Sequence, residues 1–280
     1  MLNIIDLTCP LCLSKNIKKL FIKEGISYYS CLECRFVFSL TKNNANLENN
    51  ISDFETSYLQ YFDEKSADEK NHLKMLRWIN KTICDNPKSI LDIGSGSGKF
   101  VNYLNNLGLM AYGIEPSISL YNHFLSGSTA FFCGSTEDFI EYNPGKQFDV
   151  ITAFDVLEHT KHPVDFLQSV SKLMHPSSYL FMSMPDVNSI HRKITQSHWH
   201  YFNKYHFSYF SKKTLKATAS KAGLSMLFCS HKSRYFQVQY IQNYFMNFVL
   251  LKKSTYSAKK GGLIIPMNLF DNMYCVFKKI

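Results

Sequence analysis

The sequence predicts an α/β protein in which a small cysteine-rich module precedes a mainly parallel β-sheet. From residue 88 onward, short apolar segments alternate with amphipathic ones, which is typical of buried strands whose two faces are covered by helices. Four of the eight cysteines lie close together near the N-terminus. A chain of 280 residues, 45% of them hydrophobic, can bury one large core and carry a small satellite module.

The periodicity of the apolar residues predicts the elements. From Phe54 to about residue 84 they recur at helical spacing, with Leu73, Leu76, Ile79 and Ile83 on one face. The last two strand segments lack a full crossover pattern, so the final strand is expected to be antiparallel. We predict strands at 88–93, 109–114, 129–133, 148–154, 179–184, 224–230 and 272–278, and helices at 98–107, 117–126, 164–174 and 212–222.

Four cysteines have the spacing of a zinc ribbon. They form the pairs CPLC (Cys9, Cys12) and CLEC (Cys31, Cys34), with 18 residues between the pairs. Four thiolates would complete a tetrahedron around the metal and leave no position for a water, so the zinc is expected to be structural. Two disulfides are the alternative. The other four cysteines have apolar neighbours and are interpreted as buried thiols of a reducing cytoplasm: Cys84, Cys133, Cys229 and Cys275.

Composition along the chain predicts the domain boundaries. Residues 42–53 are polar and rich in asparagine, as in a linker. We predict a zinc ribbon at 1–42, a linker with a helical cap at 43–85, and an α/β domain at 86–280 with an insertion at 231–270. A Tyr/Phe-rich helix is predicted at 236–253. It could rest on an anionic membrane, pack over a substrate entrance or form a dimer contact, and the sequence leaves the oligomeric state open.

The net charge of +9 is unevenly distributed. Residues 192–280 contain 15 Lys and Arg but one acidic residue, whereas residues 1–191 contain 16 basic and 21 acidic residues. Such a basic segment favours an acidic partner, for which nucleotide phosphates, an anionic membrane surface and RNA are candidates. A solvated, lysine-coated face is the alternative.

Membrane-spanning and exported proteins are not expected. The longest apolar runs, such as YFMNFVLL at 244–251, are shorter than the roughly 20 residues that cross a bilayer. The start MLNIID lacks the basic region of a secretory signal. The predicted location is the cytoplasm.

A glycine-rich turn follows the first predicted strand of the α/β domain. In LDIGSGSGKF (91–100), Gly94, Gly96 and Gly98 let the backbone approach a ligand at the start of a helix. The spacing matches neither a phosphate-binding loop nor the dinucleotide fingerprint. Glu115 ends the next strand, where a carboxylate can accept hydrogen bonds from ribose hydroxyls.

With these residues, the sequence resembles the class I S-adenosylmethionine-dependent methyltransferases over about residues 54–280. LDIGSGSG and GIEPS resemble the family's first two motifs, and CGSTEDF (133–139) its adenine loop. FDVITAFDVLEHTKHP (148–163) is similar to the branch that includes ubiquinone O-methyltransferases and sugar methyltransferases. Ser177 and Ser178 replace the two glycines of a usual turn. The resemblance implies a Rossmann-like seven-stranded sheet and a set of residues that bind S-adenosylmethionine: Asp92, Gly94, Gly96, Gly98, Glu115, Pro116, Ser135, Thr136, Phe154 and Asp155.

The cysteine module followed by this α/β domain, with HWHYFNKYHFSYFSKKTL at 198–215, is similar to methyltransferases of bacterial surface-polysaccharide and secondary-metabolite pathways. The resemblance implies that residues 186–211 cover the substrate and that His206 lies near the transferring methyl group. A histidine suits proton removal because its pKa is close to neutral pH. His206 and His159 are therefore the candidate catalytic bases, and structural or surface histidines are the alternative.

Asp155, Glu158 and His159 form a D-x-x-E-H group. It resembles the group that holds a divalent cation in quinone-precursor O-methyltransferases, although aspartate replaces the first glutamate. The alternative is that Glu158 and His159 cap a helix and orient the cofactor.

Aromatic residues near the histidines could form a substrate wall or the core of a lid. Arg192, Lys193 and Lys204 could then meet a diphosphate. The predicted substrate contacts are Tyr58, Tyr61, Trp199, His200 and Tyr205.

The predicted function is methyl transfer from S-adenosylmethionine to an oxygen, nitrogen or carbon atom of a small molecule. A nucleotide-activated or lipid-linked sugar, and so a phosphate-bearing substrate, is favoured. A metal-assisted catechol or quinone-precursor O-methyltransferase is the alternative enzyme. An RNA methyltransferase that uses the basic C-terminal third, or a binding module without activity, is also compatible with the sequence.

Overall fold

A computed structural model describes residues 7–41, 65–83, 87–239, 241–242 and 262–280. Its central sheet has seven strands, and the final strand of the chain is antiparallel to both of its neighbours. The other neighbouring pairs are parallel. The predicted α/β fold with a mainly parallel sheet is thus confirmed. In spatial order the strands are β10 (Leu224–His231), β13 (Asn272–Lys279), β8 (Met174–Pro185), β7 (Phe148–Phe154), β4 (Ile90–Ile93), β5 (Ala111–Glu115) and β6 (Phe131–Cys133).

Helices connect most of these strands. Two short ones, at 136–142 and 190–195, were not predicted, because six or seven residues give too few turns for a clear apolar period. The segment predicted as a helix at 117–126 is one short α-turn followed by a π-helical turn over Tyr121–Leu125. The helices are α1 (Lys65–Thr82), α2 (Lys99–Asn106), α3 (Ile118–Leu120), α4 (Thr136–Tyr142), α5 (Pro163–Lys172), α6 (Ile190–Thr195) and α7 (Lys212–Lys221).

The N-terminal module contains an antiparallel sheet of β1 (Ile17–Lys23), β2 (Ile26–Cys31) and β3 (Val37–Thr41). A fourth strand, β9 (Ser208–Tyr209), pairs with β3 and comes from the segment predicted to cover the substrate. The module is therefore joined to the α/β domain through a shared sheet. A separate two-stranded ribbon is formed by β11 (Arg234–Gln237) and β12 (Ile264–Met267).

An aromatic cluster fills the space under this shared sheet. Tyr28 of β2 packs edge-on against Phe202 at 5.0 Å between ring centroids, and Trp199 does so at 5.2 Å. Tyr28, Trp199 and Phe202 are fully buried, and Tyr209 nearly so. Because burial of aromatic rings is strongly stabilising, the order of residues 198–210 depends on the N-terminal module.

Some predicted features lie outside the described residues. They include Tyr58, Tyr61 and Cys84, together with most of the linker and most of the insertion. Residues 236 and 237, predicted as the start of a helix at 236–253, belong instead to strand β11. In the part of the chain that is described, no helix combines the length and the apolar character needed to cross a bilayer.

Candidate active site

A cavity of about 440 Å³ opens beyond the carboxyl ends of β4 and β7. Ligands of open α/β sheets bind at this edge. Two groups of residues contribute to the lining of this cavity. The glycine half consists of Asp92, Gly94, Ser95, Gly96 and Phe154, and the histidine half of His159, His200, Tyr201, Tyr205 and His206.

The glycine half depends on a turn with left-handed backbone. Gly94 has φ of 74° and Gly96 has φ of 55°, a region in which glycine alone is unstrained. A Cβ on Gly94 would lie 2.7 Å from Cγ2 of Val156. The backbone therefore passes close to both the sheet and the cavity, and a larger residue at position 94 would move the turn.

Glu115 stabilises this glycine turn through its carboxylate. Its Oε2 accepts a hydrogen bond from the Gly96 N–H at 2.7 Å, and its Oε1 accepts one from the Ser117 N–H at 2.9 Å. The side chain is buried and lies outside the cavity lining. Contact of Glu115 with a ribose stays a prediction, whereas its bond to Gly96 N–H fixes the shape of the glycine half.

Asp92 presents a buried carboxyl group to the cavity. Thr152 Oγ1 donates a hydrogen bond to Asp92 Oδ1 at 2.5 Å. Burial raises the pKa of Asp92 to about 7, and the nearby charge of Glu115 also raises it. Asp92 can thus offer either a carboxylate oxygen or a hydroxyl to a ligand at neutral pH.

Besides Glu115, four predicted cofactor residues lie outside the cavity lining. Gly98 begins α2, and a Cβ there would lie within 2.6 Å of Leu125 and Phe131, so its role is close packing. Ser135 caps α4 by accepting a hydrogen bond from the Asp138 N–H. The structure does not bring Gly98, Pro116, Ser135 or Thr136 to the lining of this cavity.

Asp155 is held by three partners at the floor of the cavity. Its carboxylate pairs with Arg234 at 3.0 Å and accepts hydrogen bonds from Ser183 at 2.8 Å and Asn272 at 3.1 Å. Burial opposes ionisation, but the charge of Arg234 and these hydrogen bonds keep the pKa of Asp155 below its usual value. Asp155 has a left-handed backbone, with φ of 57°. These contacts turn its carboxylate toward β8, β11 and β13.

Two imidazoles dominate the histidine half, that of His206 buried and that of His159 half-buried. His159 and His206 meet edge-on at 4.7 Å between ring centroids. Burial lowers the pKa of His159, and burial together with His159 and His200 lowers the pKa of His206 well below its usual value. Both rings are consequently neutral at pH 7. His159 Nδ1 lies 2.9 Å from the Tyr205 carbonyl oxygen, so Nδ1 carries the proton and Nε2 the basic lone pair.

His206 and Glu158 each have a polar atom that finds no hydrogen-bond partner among the residues that the structure describes. These atoms, His206 Nδ1 and Glu158 Oε2, are fully buried. Burial and the charge of Asp155 raise the pKa of Glu158 well above its usual value. One ligand-type atom from each of Glu158, His159 and His206 lies within 4.8 Å of the others. The structure therefore groups Glu158 and His159 with His206, whereas the sequence grouped them with Asp155.

The predicted substrate residues separate into two sets. His200 and Tyr205 line the cavity. Trp199 does not, because it is fully buried in the aromatic cluster beneath the shared sheet. Arg192 lies over the Phe202 ring and Lys204 over the Tyr205 ring, with 5.8 Å and 5.2 Å to the ring centroids.

Sequence reasoning missed the contribution of α1 and β11. Asp68, Asn71, His72 and Met75 of α1 line the cavity. Their spacing of three to four residues within an amphipathic segment is a signal that could have identified them. Arg234 had no such signal, because its partner Asp155 is 79 positions away in sequence.

The four N-terminal cysteines converge as a metal site requires. The Sγ atoms of Cys9 and Cys34 are 3.6 Å apart, those of Cys12 and Cys31 are 3.5 Å apart, and all four lie within 4.8 Å of one another. Tetrahedral zinc at about 2.3 Å places its thiolates about 3.8 Å apart. The CPLC and CLEC pairs lie in turns with the same backbone geometry. In each turn, the residue four positions after the first cysteine has positive φ, and its N–H donates a hydrogen bond to the carbonyl oxygen of that cysteine. The residues therefore fit a zinc ion.

Comparison with known families is decisive for the α/β domain. The model of the family described as a methyltransferase domain matches residues 67–227, more than half of the chain. The chain belongs to the methyltransferase domain family. The match includes every residue of the two halves of the cavity, and the predicted resemblance to methyltransferases is confirmed at the level of the domain family.

Curated relatives include ubiquinone biosynthesis O-methyltransferases. The protein from Thiobacillus denitrificans is 29% identical over 131 residues, which cover 45% of this chain and 56% of that protein. The protein from Stutzerimonas stutzeri is 26% identical over 141 residues, covering 48% and 61%. This chain thus spans less than two thirds of the length of each relative.

Solved structures share the fold. A SAM-dependent methyltransferase from Archaeoglobus fulgidus superposes with a TM-score of 0.52 at 17% identity, covering 75% of this chain and 94% of that one. The plantazolicin methyltransferase BpumL, solved with SAH, gives a TM-score of 0.50 at 16% identity, covering 85% and 90%. The predicted methyltransferase fold is confirmed at this level.

Proposed function

We propose that this protein transfers a methyl group from S-adenosylmethionine to a small molecule, and that the acceptor is a nucleotide-activated or lipid-linked sugar. The observation that carries the proposal is the active-site cavity itself. Its glycine half permits close backbone approach, and its histidine half adds two neutral imidazoles to the same lining. The cavity therefore joins a binding surface for the donor to groups that can take a proton from the acceptor.

The glycine half would bind the donor. S-Adenosylmethionine, when bound, supplies an electrophilic methyl group on its sulfonium. Gly94 and Gly96 would let the backbone lie against the donor, and Glu115 would keep the turn in shape through the Gly96 N–H. Asp92 would offer a carboxyl oxygen from the end of β4.

The histidine half would position and deprotonate the acceptor. An acceptor hydroxyl would donate its hydrogen bond to His206 Nδ1 or His159 Nε2. As the new carbon–oxygen bond forms and the carbon–sulfur bond breaks, the hydroxyl proton would pass to the imidazole. Because burial keeps these rings neutral, either can accept the proton at physiological pH.

A metal-assisted catechol or quinone-precursor O-methyltransferase is the second candidate. The observation that favours it is the group formed by Glu158, His159 and His206, whose carboxylate and imidazoles are common ligands of divalent metals. The names of the curated relatives point the same way. Activity that requires added magnesium and accepts catechols would favour this candidate over the sugar enzyme.

A structural zinc ion is part of the proposal. Cys9, Cys12, Cys31 and Cys34 would hold it, and the sulfur–sulfur distances support this assignment. With four protein ligands the ion would stabilise the N-terminal module and take no part in the transfer.

The proposal is tested by separating donor binding from turnover. S-Adenosylhomocysteine binding is measured by calorimetry, and methylated products are sought by mass spectrometry in mixtures of nucleotide sugars and of catechols, with and without magnesium. We expect His206→Gln or His159→Gln to lower kcat by about 100-fold or more while donor affinity stays within about twofold. The exposed His123→Gln serves as the control. Full turnover in both variants would show that neither ring is the base.

A further inference from the structure

A second cavity, of about 200 Å³, lies beside the active-site cavity and has a basic lining. It is bounded by the second half of α1 and by residues 232–234, with Trp78 on its wall. Among the described residues that line it, none is acidic. We call it the basic cavity, and its cationic side chains are Lys74, Arg77, Lys81, Lys232 and Arg234.

The cationic side chains of the basic cavity repel one another. Lys74, Arg77 and Lys81 are three or four residues apart on α1 and therefore lie on one helix face, where like charges repel. Burial lowers the pKa of Lys74. Burial, followed by the charges of Lys74 and Lys81, lowers the pKa of Lys232. The fold thus gathers cations that repel one another, and a bound anion would relieve this repulsion.

The position of Lys232 also fits a binding function. Its Nζ lies 4.7 Å from the ring centroid of Trp78, so the aromatic wall and the ammonium group form one surface. Arg234 is already paired with Asp155 at 3.0 Å. The repulsion within the cavity therefore comes chiefly from Lys232 and the three cations of α1.

The two cavities share a wall. Asn71, Met75 and Arg234 line both of them. A ligand could therefore place one end near His159 and His206 and an anionic group near Lys232. The cations considered from the sequence are less suited, because Arg192, Lys193 and Lys204 are not among the residues that line either cavity.

We propose that the basic cavity binds the phosphate or diphosphate group of the methyl acceptor, whose accepting end lies in the active-site cavity. The proposal rests on the proposed methyl transfer for the identity of the ligand. Its shared chemistry is a phosphate ester, supplied by either a nucleotide or a lipid carrier. Phosphate oxygens form charge-assisted hydrogen bonds with Lys and Arg, which are stronger than neutral ones.

Binding of inorganic pyrophosphate to the full-length chain, measured by calorimetry, tests the cavity directly. The double variant Arg77→Gln/Lys81→Gln removes two exposed cations and should weaken binding by about tenfold or more. Lys213→Gln/Lys216→Gln is a matched control, because it removes two exposed lysines from one face of α7. The control should keep its affinity within about twofold. Absence of pyrophosphate binding, or equal loss in both variants, would overturn the proposal.

Further arms identify the source of the phosphate. Tighter binding of uridine diphosphate than of pyrophosphate would support a nucleotide carrier, and tighter binding of geranyl diphosphate would support a lipid carrier. An RNA oligonucleotide that binds far more tightly than either, with steep salt dependence, would overturn the small-molecule assignment.

S-Adenosylhomocysteine affinity is measured on the same samples. If the wild-type protein does not bind S-adenosylhomocysteine, the proposed methyl transfer is refuted. If it binds S-adenosylhomocysteine but not pyrophosphate, only the proposed role of the basic cavity is refuted.

Discussion

The glycine half and the histidine half of the active-site cavity are built over different distances along the chain. Asp92, Gly94 and Gly96 lie within five residues of one another, and Glu115 ends the neighbouring strand. The histidine half instead depends on residues 200–206, which are held by an N-terminal module more than 150 residues away. Comparison of the two halves shows that one site can combine local turn chemistry with long-range support.

Side chains of the N-terminal module, among them Lys23, Tyr28 and Ser39, support the histidine half. Lys23 Nζ donates to the Phe202 carbonyl oxygen at 2.8 Å, and Ser39 Oγ donates to the His206 carbonyl oxygen at 2.8 Å. Tyr28 packs against Phe202. Since backbone positions on both sides of Tyr205 are fixed in this way, damage to the module should reach the histidine half and leave the glycine half intact.

The largest expected effect is that of breaking the cysteine site. Cys34→Ser should lose zinc, detach β3 from β9 and lower methyl transfer by at least about 100-fold, because small displacements of catalytic groups are costly. Affinity for S-adenosylhomocysteine should change little. Metal analysis, turnover and calorimetry check the three statements, with Cys229→Ser on β10 as the control. Parallel loss of donor affinity would show that the two halves are not separable.

The converse variant breaks the glycine half. Gly94→Ala places a Cβ 2.7 Å from Val156 in a left-handed backbone, and should weaken S-adenosylhomocysteine binding by about 30-fold or more. Zinc content should be unchanged. Gly223→Ala is the matched control, because its φ is 73° but no atom of the described part of the chain lies within 4 Å of the added Cβ. Equal effects of the two substitutions on calorimetric affinity would mean that strain, and not the cavity, is being measured.

A smaller effect is expected for the anchor of the histidine half. Lys23→Met removes the donor to the carbonyl oxygens of Trp199 and Phe202 and should destabilise the fold by about 1–2 kcal/mol. It should also lower kcat several-fold without changing donor affinity. Urea denaturation and steady-state kinetics measure both, and Lys18→Met on the same strand is the control. An unchanged kcat would argue against mechanical support by β1.

The smallest expected effect is the contribution of His72, on α1, to the pH dependence of the free energy of unfolding. Burial lowers the pKa of His72 to about 4, so below pH 6.5 the unfolded chain takes up a proton that the folded chain does not. Stability should therefore decrease as the pH falls from 7 to 5. His72→Asn should reduce this decrease by about 1 kcal/mol, measured as the difference between urea unfolding free energies at the two pH values. A decrease equal to that of the wild type would show that His72 is not responsible.

Most of the central sheet could be predicted because its signals are local. Buried strands such as β4 and β7 are short apolar runs, and the glycines after β4 predict the turn that follows it. The boundaries differed by a few residues, most clearly at β8, which begins at Met174 and not at 179. There Ser178 Oγ donates to the Phe148 carbonyl oxygen, so the serine pair continues the strand where a turn was expected.

Trp199 and Asp155 show why the rest of the site was harder to predict. A tryptophan beside three histidines resembles a substrate contact, but whether it faces a cavity depends on Tyr28, which lies 171 positions away. Asp155 resembles a metal ligand next to Glu158, but Arg234, Ser183 and Asn272 occupy its carboxylate. Pattern alone does not reveal such distant partners.

The sequence by itself determined the alternation of strands and longer helices in the α/β domain, the glycine turn and the spacing of the four N-terminal cysteines, because each arises from neighbouring residues or a fixed spacing. The tertiary structure decided which imidazoles meet, which carboxylate is left for a ligand and where cations accumulate. The physical reason is that burial, pKa and charge repulsion depend on groups brought together from distant parts of the chain. β9 illustrates this, since two residues joined to the N-terminal sheet help to position the loop that carries His206.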